Sequence, residues 1–203
     1  YKNALSQKPD YNEAYSNFIF CLDSTTFENA DLYNEVAFAF NEYASNNAKK
    51  KYKNKRYISR RTIRIGFVSG DLRDHPVGFF LENLFKNIDQ ETFELIVYSN
   101  STKSSKQTHV LRQFTKVWRI IEGVPDNQVA EIIYKDEIDI LIDLSGHTAL
   151  NRLPVFAYRP CAIQATWLGY FGSTCLSEMD YILGDRYVLP IGTEHQFCEK
   201  FAL

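Results

Sequence analysis

The chain has 203 residues, enough for one domain with an appendage or for two small domains. Hydrophobic residues make up 45% of the sequence and charged residues 24%, which excludes wholesale disorder. The formal net charge of -2 predicts no general attraction to nucleic acid or to anionic membranes. No apolar run approaches the roughly 18 residues that a membrane-spanning helix needs.

The first 47 residues carry two apolar stripes at helical spacing. The stripes consist of Tyr11, Ala14, Tyr15, Phe18 and Leu22, and of Leu32, Val36, Phe40 and Tyr43. Asp31 immediately precedes the second stripe and is the candidate N-cap of its helix. Two short helices cannot bury both stripes alone, so we expect residues 1–47 to dock on whatever follows, as a terminal helix-hairpin repeat does.

Residues 48–61 contain a run of lysine and arginine. A solvated linker is the commoner explanation of such a run, and binding of nucleic acid or phosphate is the alternative. The nearly neutral chain as a whole favours the linker.

From residue 62 onward, strand and helix patterns alternate. We predict strands at 64–69, 93–98, 117–121, 138–144, 162–168 and 181–183, and helices at 77–88, 109–116, 127–135 and 151–158. Repeated units of this length predict an α/β, Rossmann-like, mainly parallel sheet with helices on both faces. The glycine fingerprint of NAD-binding folds does not follow the first strand.

Three of these strands end in polar segments that contain glycine, at residues 69–76, 145–148 and 169–174. Each segment alone is ordinary turn material. Ligands of open parallel sheets bind outside the carboxyl ends of the strands, so three such segments on one rim predict a shared cleft.

His75 is the most informative residue of the first segment. Pro76 follows it and suits the first position of a helix, so His75 should lie beside the free N–H groups of a helix start. A neutral imidazole there could donate or accept a hydrogen bond, or could simply cap the helix.

Other polar residues of the cleft have two interpretations each. Asp71 either reaches toward His75 or accepts local N–H groups, and Asp74 is the favoured helix cap. His147 and Thr148 follow a buried strand, and Thr148 is a candidate cap of the next helix.

Three larger side chains have a structural explanation that is commoner than a functional one. We expect Trp167 to pack in the core. Arg152 and Arg159 either meet phosphates or, more commonly, form surface pairs.

Four cysteines are widely spaced and form no Cys-x-x-Cys pair, so we expect neither a zinc ribbon nor a disulfide framework. His195 and Cys198 have ligand-like spacing without a second pair, so we expect no metal site. Reduced thiols are typical of a cytoplasmic protein, and that is the location we predict.

Several segments together carry a resemblance to a known family. They are RIGFVSGD (64–71), DHP (74–76), DLSGHT (143–148), NRLPVFA (151–157), RP (159–160) and QATWLGY (164–170). They resemble the start of the catalytic region of the O-linked N-acetylglucosamine transferase family, with SPINDLY-like members nearest in pattern. Residues 4–22 also resemble a final tetratricopeptide repeat.

The resemblance implies a GT-B glycosyltransferase, in which two Rossmann-like lobes close around a nucleotide sugar. Residues 62–203 would be the N-terminal lobe, preceded by the helical end of the repeats. The implied reaction transfers N-acetylglucosamine from UDP to serine or threonine hydroxyls of an acceptor protein. No metal or other cofactor is implied, and neither nucleic acid nor a membrane is an expected partner.

The resemblance also implies site residues. His75 would lie in the active site as base or as orienting donor, and Asp71 would lie where the acceptor approaches. The implied substrate-binding residues are Pro76, Gly146, His147, Thr148, Leu168, Gly169 and Tyr170.

The chain departs from the family pattern at two positions, which puts acceptor specificity in question. Phe171 stands where the family usually has proline, and Cys175 replaces a frequent glycine. The family continues into a second lobe that supplies most UDP contacts. We therefore expect this chain to be part of a longer protein and inactive alone. The alternative is a binding module that recruits a peptide without catalysis.

Overall fold

The computed structural model describes residues 1–25, 30–49, 51–52 and 62–203. The chain begins with three helices, α1 (Lys2–Gln7), α2 (Asn12–Asp23) and α3 (Ala30–Asn47). The predicted helical segment is thus confirmed. Asp31 lies inside α3, so its assignment as N-cap is wrong. The tetratricopeptide assignment stays a prediction.

The remaining elements form a parallel sheet with its connecting helices. The strands are β1 (Ile63–Ser69), β2 (Phe93–Ser99), β3 (Val117–Ile120), β4 (Ile140–Asp143), β5 (Ile163–Trp167), β6 (Tyr181–Leu183) and β7 (Lys200–Ala202). The helices between them are α4 (Pro76–Asn87), α5 (Lys106–Arg112), α6 (Asp126–Lys135) and α7 (Leu153–Ala157).

The strand order places the ends of β1 and β4 side by side. The order is β3-β2-β1-β4-β5-β6-β7, and every neighbouring pair is parallel. Strands β2 and β3 are added on one side of β1, and β4 is then added on its other side. The connections that follow β1 and β4 therefore run in opposite directions away from the gap between these two strands. Val68 is in register with Asp143, and the loops after both strands therefore open at the same edge. The predicted Rossmann-like sheet is confirmed.

Two apolar clusters cover the faces of the sheet. On one face α4 and α5 pack against β1 and β2, and the residues buried there include Phe67, Leu81, Phe85, Val97 and Leu111. On the other face α2 and α3 join α6 and α7 over a cluster that includes Ile19, Phe40, Tyr98, Ile133 and Phe156. Because Ile19 and Phe40 are fully buried in this shared cluster, the predicted docking of the helical segment is confirmed.

Apart from two elements, the α-helices and strands after residue 62 begin and end within two residues of the predicted positions. Helix α5 begins three residues earlier than predicted because Ser105 and Thr108 form a reciprocal capping box. Strand β7 (Lys200–Ala202), at the edge of the sheet, was not predicted.

The described part of the predicted linker contacts the lobe. Lys51 forms an ion pair with Glu178, and the Tyr52 backbone N–H donates to the Tyr158 carbonyl at 3.1 Å. Residues 50 and 53–61 lie outside the described residues, so the linker prediction for them stays a prediction.

All four cysteines are free thiols in the structure. Among the described residues, no helix has the length and apolar character to cross a bilayer. The same residues contain no group of three or more His, Cys, Asp or Glu side chains placed to hold a metal ion.

Candidate functional site

The loops after β1, β4 and β5 meet at the carboxyl edge of the sheet. A Cβ placed on Gly70 would lie 2.5 Å from the Cβ of Leu150, so the first two loops touch. A Cβ on Gly169 would lie 1.8 Å from the Leu144 carbonyl oxygen, which only glycine permits. The three segments therefore converge on one rim, as the sequence predicted.

His75 caps α4 at the opening of this rim. Its backbone is extended, and its Nδ1 accepts the Val77 N–H at 3.3 Å. The side chain is half-buried, so part of the ring is accessible to solvent. The capping role predicted for Asp74 is wrong, because its Oδ1 accepts the Gln107 N–H of α5 at 3.1 Å.

Asp71 lies four residues before His75 in the same loop. Its Oδ1 accepts from the Arg73 guanidinium at 2.9 Å, and its own backbone N–H donates to Ser69 Oγ at 3.0 Å. The side chain of Asp71 is 12% exposed and that of Arg73 is 34% exposed. One carboxylate oxygen is thus held by the ion pair, which fixes the orientation of the carboxylate.

Helix α2 lies across the carboxyl edge and contacts the loops after β4 and β5 in turn. Ser16 Oγ is 3.2 Å from His147 Nδ1 and accepts from the Asn151 amide at 3.1 Å. About two turns later along α2, Asp23 accepts a hydrogen bond from the Tyr170 hydroxyl. The helical segment therefore helps to shape the rim. Sequence analysis missed this role, although Ser16 is a polar residue on an otherwise apolar face.

His147 lies beneath the rim, with a side chain that is 1% exposed. Its Nε2–H donates to the Thr174 carbonyl at 2.9 Å, so Nδ1 accepts from Ser16. Its ring also meets those of Phe40 and Tyr170 edge-on, at 5.0 and 5.6 Å. Burial lowers the pKa of His147 to about 4, so the imidazole is neutral and joins α2 to two loops.

Tyr170 and Thr148 also have structural partners. Tyr170 is 7% exposed, and burial raises the pKa of its phenol. Burial likewise raises the pKa of Asp23, against the hydrogen bonds from Tyr170 and Tyr33. The alternative of Thr148 as helix cap is wrong, because its hydroxyl donates to the Ser145 carbonyl at 2.7 Å.

Of the other implied substrate-binding residues, Gly146 is buried against Tyr170, and the remaining three lie at the rim itself. Pro76 is exposed at the first position of α4, and Leu168 and Gly169 are partly exposed after β5. Leu168 has φ +74, a left-handed conformation that is costly for leucine. Such strain is held only where the surrounding structure determines it, and it is concentrated at functional sites.

Asp143 supports the rim from below and was not singled out from the sequence. It is completely buried at the end of β4 and accepts from the Gly146 N–H at 2.7 Å and the Thr166 hydroxyl at 2.9 Å. Burial raises the pKa of Asp143 to about 6, although these bonds oppose the shift. A charged residue that ends an apolar strand was the available signal.

The two arginines considered as phosphate ligands are engaged elsewhere. Arg152 pairs with Asp126 at 2.7 Å, and Arg159 pairs with Asp180 at 2.9 Å. The surface-pair alternative is therefore confirmed for Arg159. The Arg152 side chain is only 11% exposed and also donates to the Ile121 and Val124 carbonyls, so its ion pair is largely buried and not the predicted surface pair. Trp167 is half-buried and packs against the cluster beneath α4 and α5.

We expect His147→Gln to change the pH dependence of stability. In the folded state His147 takes up a proton only near pH 4, whereas in the unfolded chain it does so near pH 6.5. Protonation between these pH values therefore favours the unfolded chain, and the stability that the neutral His147 provides is lost as pH falls from about 6.5 to about 4. Urea unfolding of both proteins gives their free energies of unfolding. The difference between wild type and His147→Gln should be about 2 kcal/mol smaller at pH 4.5 than at pH 7.

Asp143 acts in the opposite direction, since its raised pKa stabilises the folded state as pH falls from about 6 toward 4. Comparing wild type with His147→Gln cancels that contribution. His109→Gln, at an exposed position of α5, controls for the loss of a histidine. If the free energies of unfolding of wild type and His147→Gln differed by the same amount at both pH values, a buried neutral His147 would be contradicted.

Comparison with known proteins identifies the family. The profile described as glycosyl transferase family 41 matches residues 41–203. This chain belongs to glycosyl transferase family 41. The predicted resemblance to SPINDLY-like members of the O-linked N-acetylglucosamine transferase family is confirmed.

Two plant relatives and one solved structure illustrate the similarity. The chain is 36% identical over 149 residues to a rice protein named probable UDP-N-acetylglucosamine–peptide N-acetylglucosaminyltransferase SPINDLY, covering 70% of this chain and 16% of the relative. It is 35% identical over 144 residues to the Arabidopsis thaliana protein of that name, covering 69% and 16%. A mutant of the Thermobaculum terrenum O-GlcNAc transferase superposes with a TM-score of 0.88 at 33% identity, covering 98% of this chain and 38% of that one.

The family 41 chain described here is thus much shorter than these relatives. It spans about 16% of the length of the two plant proteins. Their likeness assigns the family and the fold of the lobe. The high coverage of this chain by the bacterial structure includes α1 and α2, which precede the matched profile.

Proposed function

We propose that the chain is the N-terminal lobe of a protein O-glycosyltransferase that transfers N-acetylglucosamine from UDP to serine or threonine hydroxyls. The observation that carries this proposal is that Asp71 and His75 share a loop at the rim formed after β1, β4 and β5. The names of the family 41 relatives supply the reaction class and the donor.

In the proposed reaction, the acceptor oxygen attacks the anomeric carbon of the sugar from the face opposite UDP. A carbon–oxygen bond forms to the acceptor, the bond to the diphosphate breaks, and the configuration inverts. The hydroxyl proton passes to a base at the rim. This substitution needs no electron transfer, so we assign no redox cofactor.

The geometry favours different roles for the two residues. Because Nδ1 of His75 accepts the Val77 N–H, the proton of the neutral ring lies on Nε2, which can donate a hydrogen bond to a substrate oxygen. Asp71 keeps Oδ2 free of the bond from Arg73, which uses Oδ1. We therefore assign Asp71 as the proton acceptor and His75 as the orienting donor.

The strained segment after β5 is the proposed wall of the sugar pocket. Leu168 and Gly169 lie at the rim, where the backbone of Gly169 approaches that of Leu144. Gly146 and Thr148 close the neighbouring turn, and Pro76 flanks His75. Since His147 and Tyr170 are buried, we propose that they support this wall from below.

The diphosphate requires additional positive groups. Arg73 and Arg152, in the loops after β1 and β4, are paired with Asp71 and Asp126. We therefore assign activity to the full-length protein and propose that the lobe alone does not turn over. A cytoplasmic location remains part of this proposal.

His75→Ala and His75→Asn separate catalysis from capping. Both variants should lower the turnover of the full-length protein by at least about tenfold, because each removes the Nε2–H donor. Asparagine is a good N-cap, so only the alanine variant should lose about 1 kcal/mol of stability. Steady-state transfer to a serine peptide and urea unfolding measure the two effects.

Unchanged turnover in both variants would remove His75 from the site. Specific peptide binding without any sugar transfer by the full-length protein would instead favour the non-catalytic binding module.

A further inference from the structure

An exposed pair of aromatic rings lies where α2 meets the loop after β5. The centroids of Phe20 and Phe171 are 6.4 Å apart, and the rings meet edge-on. Both rings contact that of Tyr170, at 6.0 and 5.1 Å. Phe20 is 39% exposed and Phe171 is 53% exposed, whereas Tyr170 is 7% exposed. We call Phe20 and Phe171 on their Tyr170 base the aromatic shelf.

The aromatic shelf is held in place from below. The Tyr170 hydroxyl donates to the Asp23 carboxylate, and His147 packs edge-on against the Tyr170 ring at 5.6 Å. Gly172 fits closely as well, since a Cβ there would lie 2.7 Å from Asp23 Oδ2. A ligand that binds such a surface orders few side chains, which lowers the entropic cost of binding.

The position of the aromatic shelf connects it to the candidate site. Phe171 follows Gly169 by two residues, and Gly169 packs directly on the loop after β4. The shelf therefore extends the rim that holds Asp71 and His75. The carboxylate of Asp23 is engaged by Tyr170 and Tyr33, so it does not make the shelf a charged surface.

We propose that the aromatic shelf binds an apolar or aromatic side chain of the acceptor polypeptide, close to the hydroxyl that is modified. This inference rests on the proposed function, which requires a polypeptide to lie along the rim. Isolated exposed apolar residues are ordinary, whereas Phe20 and Phe171 form a contiguous apolar surface beside the rim. Aromatic rings also favour edge-on and offset aromatic partners.

The test measures peptide binding to the full-length protein. The peptides are fluorescein-labelled nonapeptides with a central serine and otherwise glycine and asparagine. A single phenylalanine is placed in turn at each of the remaining positions. At least one of them should bind about fivefold more tightly than the peptide without phenylalanine. Fluorescence anisotropy gives the Kd values.

Three variants assign that gain to the aromatic shelf. Phe171→Ala, Phe171→Pro and Phe20→Ala should each bring the Kd of the best peptide to within about twofold of the peptide without phenylalanine. Phe38→Ala is the matched control, because Phe38 is 64% exposed on α3, and it should keep the gain. Thermal unfolding verifies that each variant is folded.

A gain that survives in the three shelf variants, or the absence of a gain at every position, would overturn the inference. An increased KM for UDP-N-acetylglucosamine hydrolysis in Phe171→Ala with unchanged peptide Kd would also overturn it, in favour of a donor contact. A phenylalanine-dependent gain without sugar transfer would contradict the proposed function and leave the shelf as a peptide site.

Discussion

Asp71→Asn should lower the turnover of the full-length protein by at least about a hundredfold, the usual range for loss of a general base. The amide has nearly the shape of the carboxylate but cannot accept the hydroxyl proton at Oδ2. It also weakens the bond to Arg73, which now joins a charged donor to a neutral acceptor. Steady-state transfer to a serine peptide gives kcat and KM.

Asp74→Asn is the matched control for this experiment. Asp74 lies in the same loop, is exposed, and accepts from the Gln107 N–H of α5. Its replacement should leave turnover within about threefold of wild type, since surface changes away from the site have small effects. Equal losses in both variants would indicate a disturbed loop, and no loss in Asp71→Asn would end its assignment as base.

Gly169→Ala should have the largest effect on stability, a loss of about 3 kcal/mol or more in urea unfolding. The new Cβ would lie 1.8 Å from the Leu144 carbonyl oxygen and 2.7 Å from its carbon. These are backbone atoms just beyond β4, so they can move only if the loops after β4 and β5 separate.

Gly123→Ala separates a steric clash from backbone conformation. Gly123 has φ +74, but a Cβ there would meet no atom within 4 Å. Its replacement should cost about 1 kcal/mol through conformation alone. A loss in Gly169→Ala no larger than this would contradict the close contact between the two loops.

The sheet was predictable because its central strands are mostly buried. Apolar runs at β1, β2 and β4 alternate with amphipathic helices, and such a pattern leaves few topologies. Boundaries were less accurate where polar residues determine them. Helix α5 starts at the Ser105 and Thr108 capping box, inside a stretch that otherwise resembles a loop.

The candidate site was predictable in position but only partly in detail. The carboxyl edge and the His75 turn follow from local sequence, since Pro76 fixes where α4 starts. The burial of His147 does not follow from local sequence, because it depends on Ser16, which is 131 residues away. The choice between Asp74 and His75 as cap likewise depended on α5, whose N-terminus binds Asp74.

The most direct test of the account is sugar transfer by the full-length protein, followed by mass spectrometry of a serine peptide incubated with UDP-N-acetylglucosamine. Wild type should add one N-acetylhexosamine to the serine peptide and none to its alanine counterpart, and Asp71→Asn and His75→Asn should add far less. No transfer by wild type, or full transfer by both variants, would contradict a glycosyl-transfer site at this rim.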